Sequence, residues 1–245
     1  LPAPDFSDLD LSAYLAPEPI LPYRLTQGCY WQRCGFCQNR IGAYRPRPYQ
    51  CVPAGKAMAE LEALSKTYHA NHFHFCGDVI APEDLSLFCE EKIASQSAFL
   101  WNTTLRAEKE LTEDFCRQLR RSGLNAATIG MPSGCQRTLD HMETGTNKAT
   151  ISQSLIHLYN AGVATQVTGI FGFPGEMEID AQQTIEFLRH HMDVISTFEM
   201  RLLRVLPGSA MHNDPGAFGV DLISYRHNPL MTPEPLWKSS RRIGL

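Results

Sequence analysis

The strongest constraint on the fold is an alternation of strand-like and helix-like segments that recurs six times between residues 20 and 206. Residues 99–105 are typical of the strand-like segments, whereas residues 53–68 place Ala57, Leu61 and Leu64 at helical spacing. Strands that alternate with helices form a parallel sheet joined by right-handed crossovers. Six such units predict an α/β fold, an open and partial (β/α)6 TIM-like barrel of parallel strands. In this architecture the functional loops follow the C-terminal ends of the strands.

Two regions flank the predicted barrel core, which we place at residues 20–210. Residues 1–19 contain Pro2, Pro4, Pro17 and Pro19 and predict an extended leader without regular structure. Residues 211–245 are predicted to be a C-terminal extension that is itself truncated. Because the chain starts with Leu1, we expect it to be a piece of a longer protein.

Composition excludes several classes of protein. The 245 residues are 43% hydrophobic and 20% charged, with a net charge of −4, which argues against a nucleic-acid partner or a membrane-surface binder. The sequence has no apolar run of about 20 residues that would predict a membrane span. We therefore expect a cytoplasmic protein without a membrane or nucleic-acid partner.

The chain has eight cysteines, and three of them lie within nine residues. A disulfide scaffold is small, loop-rich and secreted, which this chain is not, so the close spacing indicates a metal site. Cys29, Cys34 and Cys37 are separated by four and by two residues. Structural zinc and ferredoxin clusters take four protein ligands. Three thiolates on a [4Fe-4S] cluster leave one iron open, but a zinc site completed by Cys51 or a histidine remains the alternative.

The cysteine segment, Gly28-Cys29-Tyr30-Trp31-Gln32-Arg33-Cys34-Gly35-Phe36-Cys37, resembles the cluster motif of the radical S-adenosylmethionine (SAM) superfamily. The commonest spacing in that superfamily is three and two residues. The four-and-two form resembles a branch with N-terminal cobalamin-binding domains, and the leader resembles the connector that follows such a domain. The resemblance implies that residues 20–210 are a radical SAM core and that Phe36 lies beside the adenine of SAM. It also implies that a cobalamin domain absent from this chain precedes it.

Two later strands end in residues that this resemblance assigns to SAM. Gly77 and Asp78 match the turn that binds the SAM amino group, although Asp78 could instead cap the helix that starts near Pro82. Arg106 matches an arginine near SAM or the substrate. A surface ion pair of Arg106 with Glu108 or Glu110 is the alternative.

The next two turns also resemble family segments that contact SAM. Ser133 and Gln136 match a segment that contacts its ribose and methionine, but Pro132 stands where the family usually has glutamate. Pro132 lacks both that carboxylate and a backbone donor. Gly172 belongs to a Gly-Phe-Pro-Gly-Glu turn, which in the family lies beneath the adenine.

The sequence therefore predicts a radical SAM enzyme. It would use a [4Fe-4S] cluster to cleave SAM and start methyl transfer or another modification of a small molecule or peptide. An electron donor such as flavodoxin or ferredoxin and, through the upstream domain, cobalamin are its expected partners. No side chain is assigned a catalytic role. The alternative is a zinc-stabilised, catalytically inactive binding protein on a degenerate barrel, for which Pro132 is the best support.

Overall fold

The computed structural model describes residues 3–39, 48–228 and 231–239. Its strands are β1 (Ile20–Tyr23), β2 (Thr26–Gln27), β3 (Gln50–Cys51), β4 (His72–Phe75), β5 (Leu100–Arg106), β6 (Leu124–Gly130), β7 (Ala164–Phe171), β8 (Thr197–Leu202), β9 (Val220–Asn228) and β10 (Met231–Ser239). Its α-helices are α1 (Ala54–Tyr68), α2 (Pro82–Ser95), α3 (Glu113–Arg121), α4 (Gln136–His141), α5 (Lys148–Asn160), α6 (Glu178–His190) and α7 (Ala210–Asn213). Two short 3-10 turns cover Leu11–Ala13 and Gly216–Phe218.

Six strands form one sheet in the order β1-β4-β5-β6-β7-β8, and every pairing in it is parallel. Within the described residues β1 and β8 do not pair with each other, so the sheet stays open. The predicted α/β fold and the partial barrel of parallel strands are therefore confirmed. Along the chain, at least one helix lies between each two successive strands of this sheet.

The helices begin and end where local chemistry favours it. Thr112 caps α3 by accepting a hydrogen bond from the Phe115 amide, and Asn147 caps α5 in the same way. Pro82 occupies the first turn of α2, where its missing amide hydrogen costs nothing. The helix start that the sequence predicts near Pro82 is therefore confirmed.

The strands have one face against the helices and one that lines the barrel. In β5, Trp101, Thr103 and Leu105 are buried, whereas the alternate residues are only half-buried. The buried faces of the strands and the apolar faces of α1, α2, α3 and α5 form the main core. A second core lies at the C-terminal part of the chain and contains Met142, Phe173, Leu203, Val205, Met211 and Val220.

The flanking regions contain more structure than the sequence predicts. In the leader, Asp10 accepts a hydrogen bond from Ser12 and caps a 3-10 turn, and Phe6 is buried against Tyr68. After β8 the chain forms α7 and the antiparallel hairpin β9–β10 instead of another long helix. Residues 1–2, 229–230 and 240–245 of these regions lie outside the described part. Among the described residues there is no helix with the length and apolarity that a membrane crossing requires.

Candidate iron–sulfur and cofactor site

The three clustered cysteines lie between β2 and β3, two short strands that pair with each other. Strands β2 and β3 pair antiparallel, with Thr26 opposite Cys51. We call residues 28–39 the cysteine loop; residues 40–47, which complete the connection to β3, are outside the described part. Cys29, Cys34 and Cys37 are each half-buried. The loop follows β1 and β2 at the C-terminal end of the barrel, as the sequence predicts.

The environment of these thiols suits a cationic metal centre. Burial raises the pKa of Cys34 to about 11, and the charge of Arg106 opposes part of that rise. Burial also raises the pKa of Cys37. A thiolate in this setting needs a compensating positive charge, which iron supplies. A three-cysteine donor set therefore fits an iron–sulfur cluster.

The predicted alternative, a closed zinc site, is not supported by the arrangement of donors. Across residues 3–39, 48–228 and 231–239, no three His, Cys, Asp or Glu side chains are close enough to bind a single ion. A zinc ion needs its ligands at about 2.0–2.3 Å.

Asp78 is bonded to both ends of the cysteine loop, and Gly77 precedes it in a close turn against Thr26. Gly77 has φ +126°, and a Cβ there would lie 2.9 Å from the Thr26 carbonyl oxygen, so only glycine fits. The Asp78 carboxylate accepts hydrogen bonds from the Gly28 amide, at 2.8 Å, and from the Asn39 side chain. The capping alternative is not observed, because α2 has no side-chain cap.

Arg106 also contacts the cysteine loop. Its guanidinium carbon lies 4.5 Å from the centroid of the Trp31 ring. Its Nε donates to Glu108 at 2.7 Å. The predicted ion pair with Glu108 exists, but it is not a surface pair, because the two side chains are only 14% and 16% exposed.

Ser133 and Gln136 lie on the β6–α4 turn and contact neighbouring elements. Ser133 is fully buried, and its hydroxyl lies 3.1 Å from the Thr184 hydroxyl of α6. Gln136 is half-buried and accepts a hydrogen bond from the Lys148 amide at 3.0 Å. Pro132, at the same turn, accepts a hydrogen bond from the Ile170 amide through its carbonyl.

Gly172 lies on the turn after β7, with φ +82° and no neighbouring atom within 4 Å of a Cβ placed there. Its amide donates to the Glu176 carboxylate. Glu176 is 6% exposed, and its second oxygen has no hydrogen-bond partner among the described residues. An open glycine surface on a fixed turn is compatible with the predicted adenine contact.

Phe36, the other predicted adenine neighbour, is half-buried and packs against the second core. The structure thus brings Phe36, Gly77, Asp78 and Arg106 to the three cysteines. It places Ser133, Gln136 and Gly172 on adjacent turns at the same end of the sheet.

Sequence reasoning missed the long-range hydrogen bonds that hold the cysteine loop in place. Asn39 bonds Asp78, and the Trp31 indole donates to the Glu143 carbonyl at 3.0 Å. These partners are separated by 39 and by 112 residues, so no local pattern could have indicated them. The sequence identifies Trp31 only as an aromatic residue close to the cysteines and does not indicate its hydrogen-bond partner.

A cavity of about 840 Å³ lies beside the cysteine loop. Its lining includes Tyr30, Trp31, Tyr49, Arg106, Glu108 and Thr146. This volume lies within the range of ligand pockets in proteins. The cavity therefore offers room for a ligand next to the predicted metal centre.

Fold and site together define an α/β partial barrel with a three-cysteine loop after its first strand. The chain belongs to the radical SAM superfamily, whose family model matches residues 23–188, more than half of the chain. The sequence prediction of this superfamily is therefore confirmed. A search of curated proteins found no match.

Solved structures share the fold at low sequence identity. The radical SAM methyltransferase TsrM from Kitasatospora setae, with cobalamin and a [4Fe-4S] cluster bound, is 15% identical with a TM-score of 0.70; the match covers 84% of this chain and 39% of TsrM. The cobalamin-dependent radical SAM enzyme OxsB with aqua-cobalamin bound is 15% identical with a TM-score of 0.59, over 79% of this chain and 29% of OxsB. Coproporphyrinogen III oxidase (HemN) from Escherichia coli, a radical SAM enzyme, is 17% identical with a TM-score of 0.55. That match covers 80% of this chain and 47% of HemN. This chain spans less than half the length of each.

Proposed function

We propose that this chain is the catalytic core of a radical SAM enzyme in which Cys29, Cys34 and Cys37 hold a [4Fe-4S] cluster. The observation that carries the proposal is the half-buried three-cysteine loop, with Asp78 bonded to it and Arg106 against its Trp31 ring, in a chain of this superfamily. When bound, such a cluster supplies the electron that breaks a carbon–sulfur bond of SAM, which yields methionine and a 5′-deoxyadenosyl radical.

The side chains of the site would bind and orient the cofactor. The free lone pairs of the Asp78 carboxylate suit an ammonium group, and the predicted role of Asp78 is to accept hydrogen bonds from the SAM amino group. Arg106 is already bonded to Glu108 and to the Thr144 carbonyl. Its charge opposes the rise that burial causes in the Cys34 pKa, so it balances thiolate charge more readily than it binds the SAM carboxylate. Phe36 and Gly172 would bound the adenine, and Ser133 and Gln136 would support the turn beside the ribose.

We assign the cavity beside the loop to the substrate, a small molecule or a peptide. The support for this assignment is its volume and its position, because Tyr30 and Trp31 of the cysteine loop form part of its wall. The Tyr30 ring also packs edge-on against Tyr49, another residue of this wall, with 5.9 Å between the ring centroids. Walls that exclude water protect a radical from side reactions.

Cobalamin is proposed as a further cofactor, held by a domain outside this chain. The support is the cysteine spacing together with two structural neighbours, TsrM with cobalamin bound and the cobalamin-dependent enzyme OxsB. TsrM is named as a methyltransferase, so methyl transfer is one reaction of this core that we propose. The electron would come from a donor such as flavodoxin or ferredoxin.

The decisive experiment is anaerobic reconstitution with iron and sulfide, followed by electron paramagnetic resonance (EPR) of the reduced protein with and without SAM. We expect a [4Fe-4S]⁺ signal that changes when SAM is added, because SAM binds the open iron. Cys34→Ala should abolish the signal. Cys51→Ala is the matched control, since Cys51 is also half-buried but lies outside the loop, and it should keep the signal.

Two other outcomes have definite meanings. Zinc binding without iron uptake would contradict the proposal and favour a zinc-stabilised protein. A cluster signal that SAM does not alter would contradict SAM cleavage by this core and would direct attention to Pro132, which replaces the usual glutamate.

A further inference from the structure

Three consecutive backbone carbonyls point at the cysteine loop and its arginine. The Met142 carbonyl accepts from the Gly35 amide at 2.9 Å, and the Glu143 carbonyl accepts from the Trp31 indole at 3.0 Å. The Thr144 carbonyl accepts from Arg106 Nη2 at 3.0 Å. We call residues 142–145, which directly follow α4, the docking segment. The docking segment therefore accepts three hydrogen bonds, two from the cysteine loop and one from Arg106, and these form a specific interface.

The backbone of the docking segment has an unusual shape. Glu143 has φ +54°, a left-handed conformation that residues with a side chain rarely adopt, and Gly145 has φ +71°. Hydrogen bonds to α4 hold this shape, since the Glu143 amide donates to Asp140 and the Thr144 hydroxyl donates to Leu139. Such conformations persist where the surroundings fix them, and they concentrate at functional sites.

Gly145 is required by the Trp31 side chain as well as by its own backbone. A Cβ at Gly145 would overlap the Trp31 indole ring. The same ring contacts the Arg106 guanidinium, whose carbon is 4.5 Å from its centroid. Trp31 lies between Cys29 and Cys34 in the sequence, so whatever fixes its ring also fixes the backbone that carries two of the three thiols.

We propose that the docking segment holds the cysteine loop in its cluster-binding conformation before the cluster is assembled, with Trp31, Glu143 and Gly145 as positioning residues. The proposal deepens the proposed function, because it rests on the loop being the cluster ligand. A loop that is already ordered does not lose conformational freedom when it binds the cluster, and binding is correspondingly tighter. Gly35 contributes by the absence of a side chain, since a Cβ there would lie 2.9 Å from the Phe218 ring.

Gly145→Ala tests the proposal, with Gly162→Ala as the matched control. Gly162 has a similar left-handed backbone, φ +75°, but the nearest atom to an added Cβ is Arg120 Nε at 3.9 Å. Both variants therefore carry the backbone strain of alanine, and only Gly145→Ala displaces Trp31. The melting temperature of each cluster-free protein separates a general loss of stability from a local effect.

The first measurement uses the cluster-free protein. We expect Gly145→Ala to accelerate alkylation of Cys34 and Cys37 by iodoacetamide several-fold, while alkylation of Cys76, a half-buried thiol outside the loop, stays unchanged. Gly162→Ala should leave all three rates unchanged. Mass spectrometry of the modified peptides gives each rate separately. Equal rates for Cys34 and Cys37 in Gly145→Ala and Gly162→Ala would overturn the proposal.

The second measurement uses the reconstituted protein. Loss of the cluster to an iron chelator, monitored through the visible absorbance of the cluster, should be several-fold faster in Gly145→Ala than in Gly162→Ala.

If the natural protein takes up no iron, the proposed function fails, whereas the alkylation rates still decide whether the docking segment orders the loop. If Gly145→Ala does not fold, Trp31→Ala replaces it, since Trp31 is only half-buried. An unchanged alkylation pattern in Trp31→Ala would then overturn the proposal.

Discussion

Glu176 is buried at the turn after β7, and only one of its oxygens has a hydrogen-bond partner among the described residues. Burial raises the pKa of this carboxyl above its ordinary value of 4.5, and the hydrogen bond from the Gly172 amide opposes part of the rise. The folded protein therefore keeps the Glu176 proton to a higher pH than the unfolded chain does. As the pH rises above 4.5, folding takes up a proton at this site and the free energy of unfolding falls.

Glu176→Gln should remove this pH-dependent loss, because glutamine stays neutral and its carbonyl can accept the Gly172 hydrogen bond. Each tenfold change in proton affinity is worth about 1.4 kcal/mol. Urea unfolding of the cluster-free protein, repeated at a series of pH values from 4.5 upward, gives the free energy of unfolding of each variant. Glu178→Gln, on the exposed surface of α6, is the control. A difference between Glu176→Gln and the natural protein that is constant with pH would contradict the prediction.

At the scale of elements, the β6–α4 turn is fixed to helix α6. The Gly134 amide donates to the Thr184 hydroxyl at 2.9 Å, and Arg137 forms an ion pair with Asp180. Asp180 also accepts from the Met177 amide at 2.7 Å. The two turns predicted to contact SAM, around Ser133 and around Gly172, therefore belong to one bonded unit.

Gly134→Ala should break the contact between this turn and α6. A Cβ at Gly134 would lie 2.7 Å from Thr184 Cα and 2.8 Å from Phe187 Cβ, and helix backbone cannot move aside without moving the helix. We expect a loss of about 1–3 kcal/mol in the free energy of unfolding, as for other overpacked sites. Urea unfolding measures it. Gly130→Ala is the matched control, since an added Cβ there meets nothing within 4 Å. Equal midpoints for the two variants would refute this account of the packing.

The elements of the barrel were predictable from sequence, because apolar spacing is a local signal that each strand and helix carries. The cysteines, Gly77 and Asp78 were predictable as well, since they follow strands and match a known motif. The strands β2 and β3 have two residues each, too few to show a period. The bond between Trp31 and Glu143 spans 112 residues, so it depends on the completed barrel and has no signature near either residue.

At the scale of the whole molecule, two apolar cores stabilise different parts of the chain. The main core joins the strands β1 to β7 to their helices. The second core joins the segment after β8 to the end of the barrel, and Phe36 and Phe218 pack against it. The amide of Leu203 bonds the Phe171 carbonyl at 2.8 Å and so continues the sheet into this core. The second core therefore connects the C-terminal region to the cysteine loop.

Met211→Ala should destabilise the second core and leave the main core intact. Met211 is fully buried in the second core, and truncation of a buried methionine to alanine costs about 2–5 kcal/mol. We expect hydrogen exchange to accelerate at the amides of Leu203 and Val220, while the Trp101 amide, which bonds the Gly123 carbonyl in the main core, keeps its protection. Leu158→Ala, at a fully buried position of the main core, is the control and should lower protection at all three amides. If Met211→Ala lowered protection equally everywhere, the cores would unfold as one cooperative unit. Selective loss would instead mean that the C-terminal region, and with it the Phe36 side of the cysteine loop, opens without unfolding the barrel.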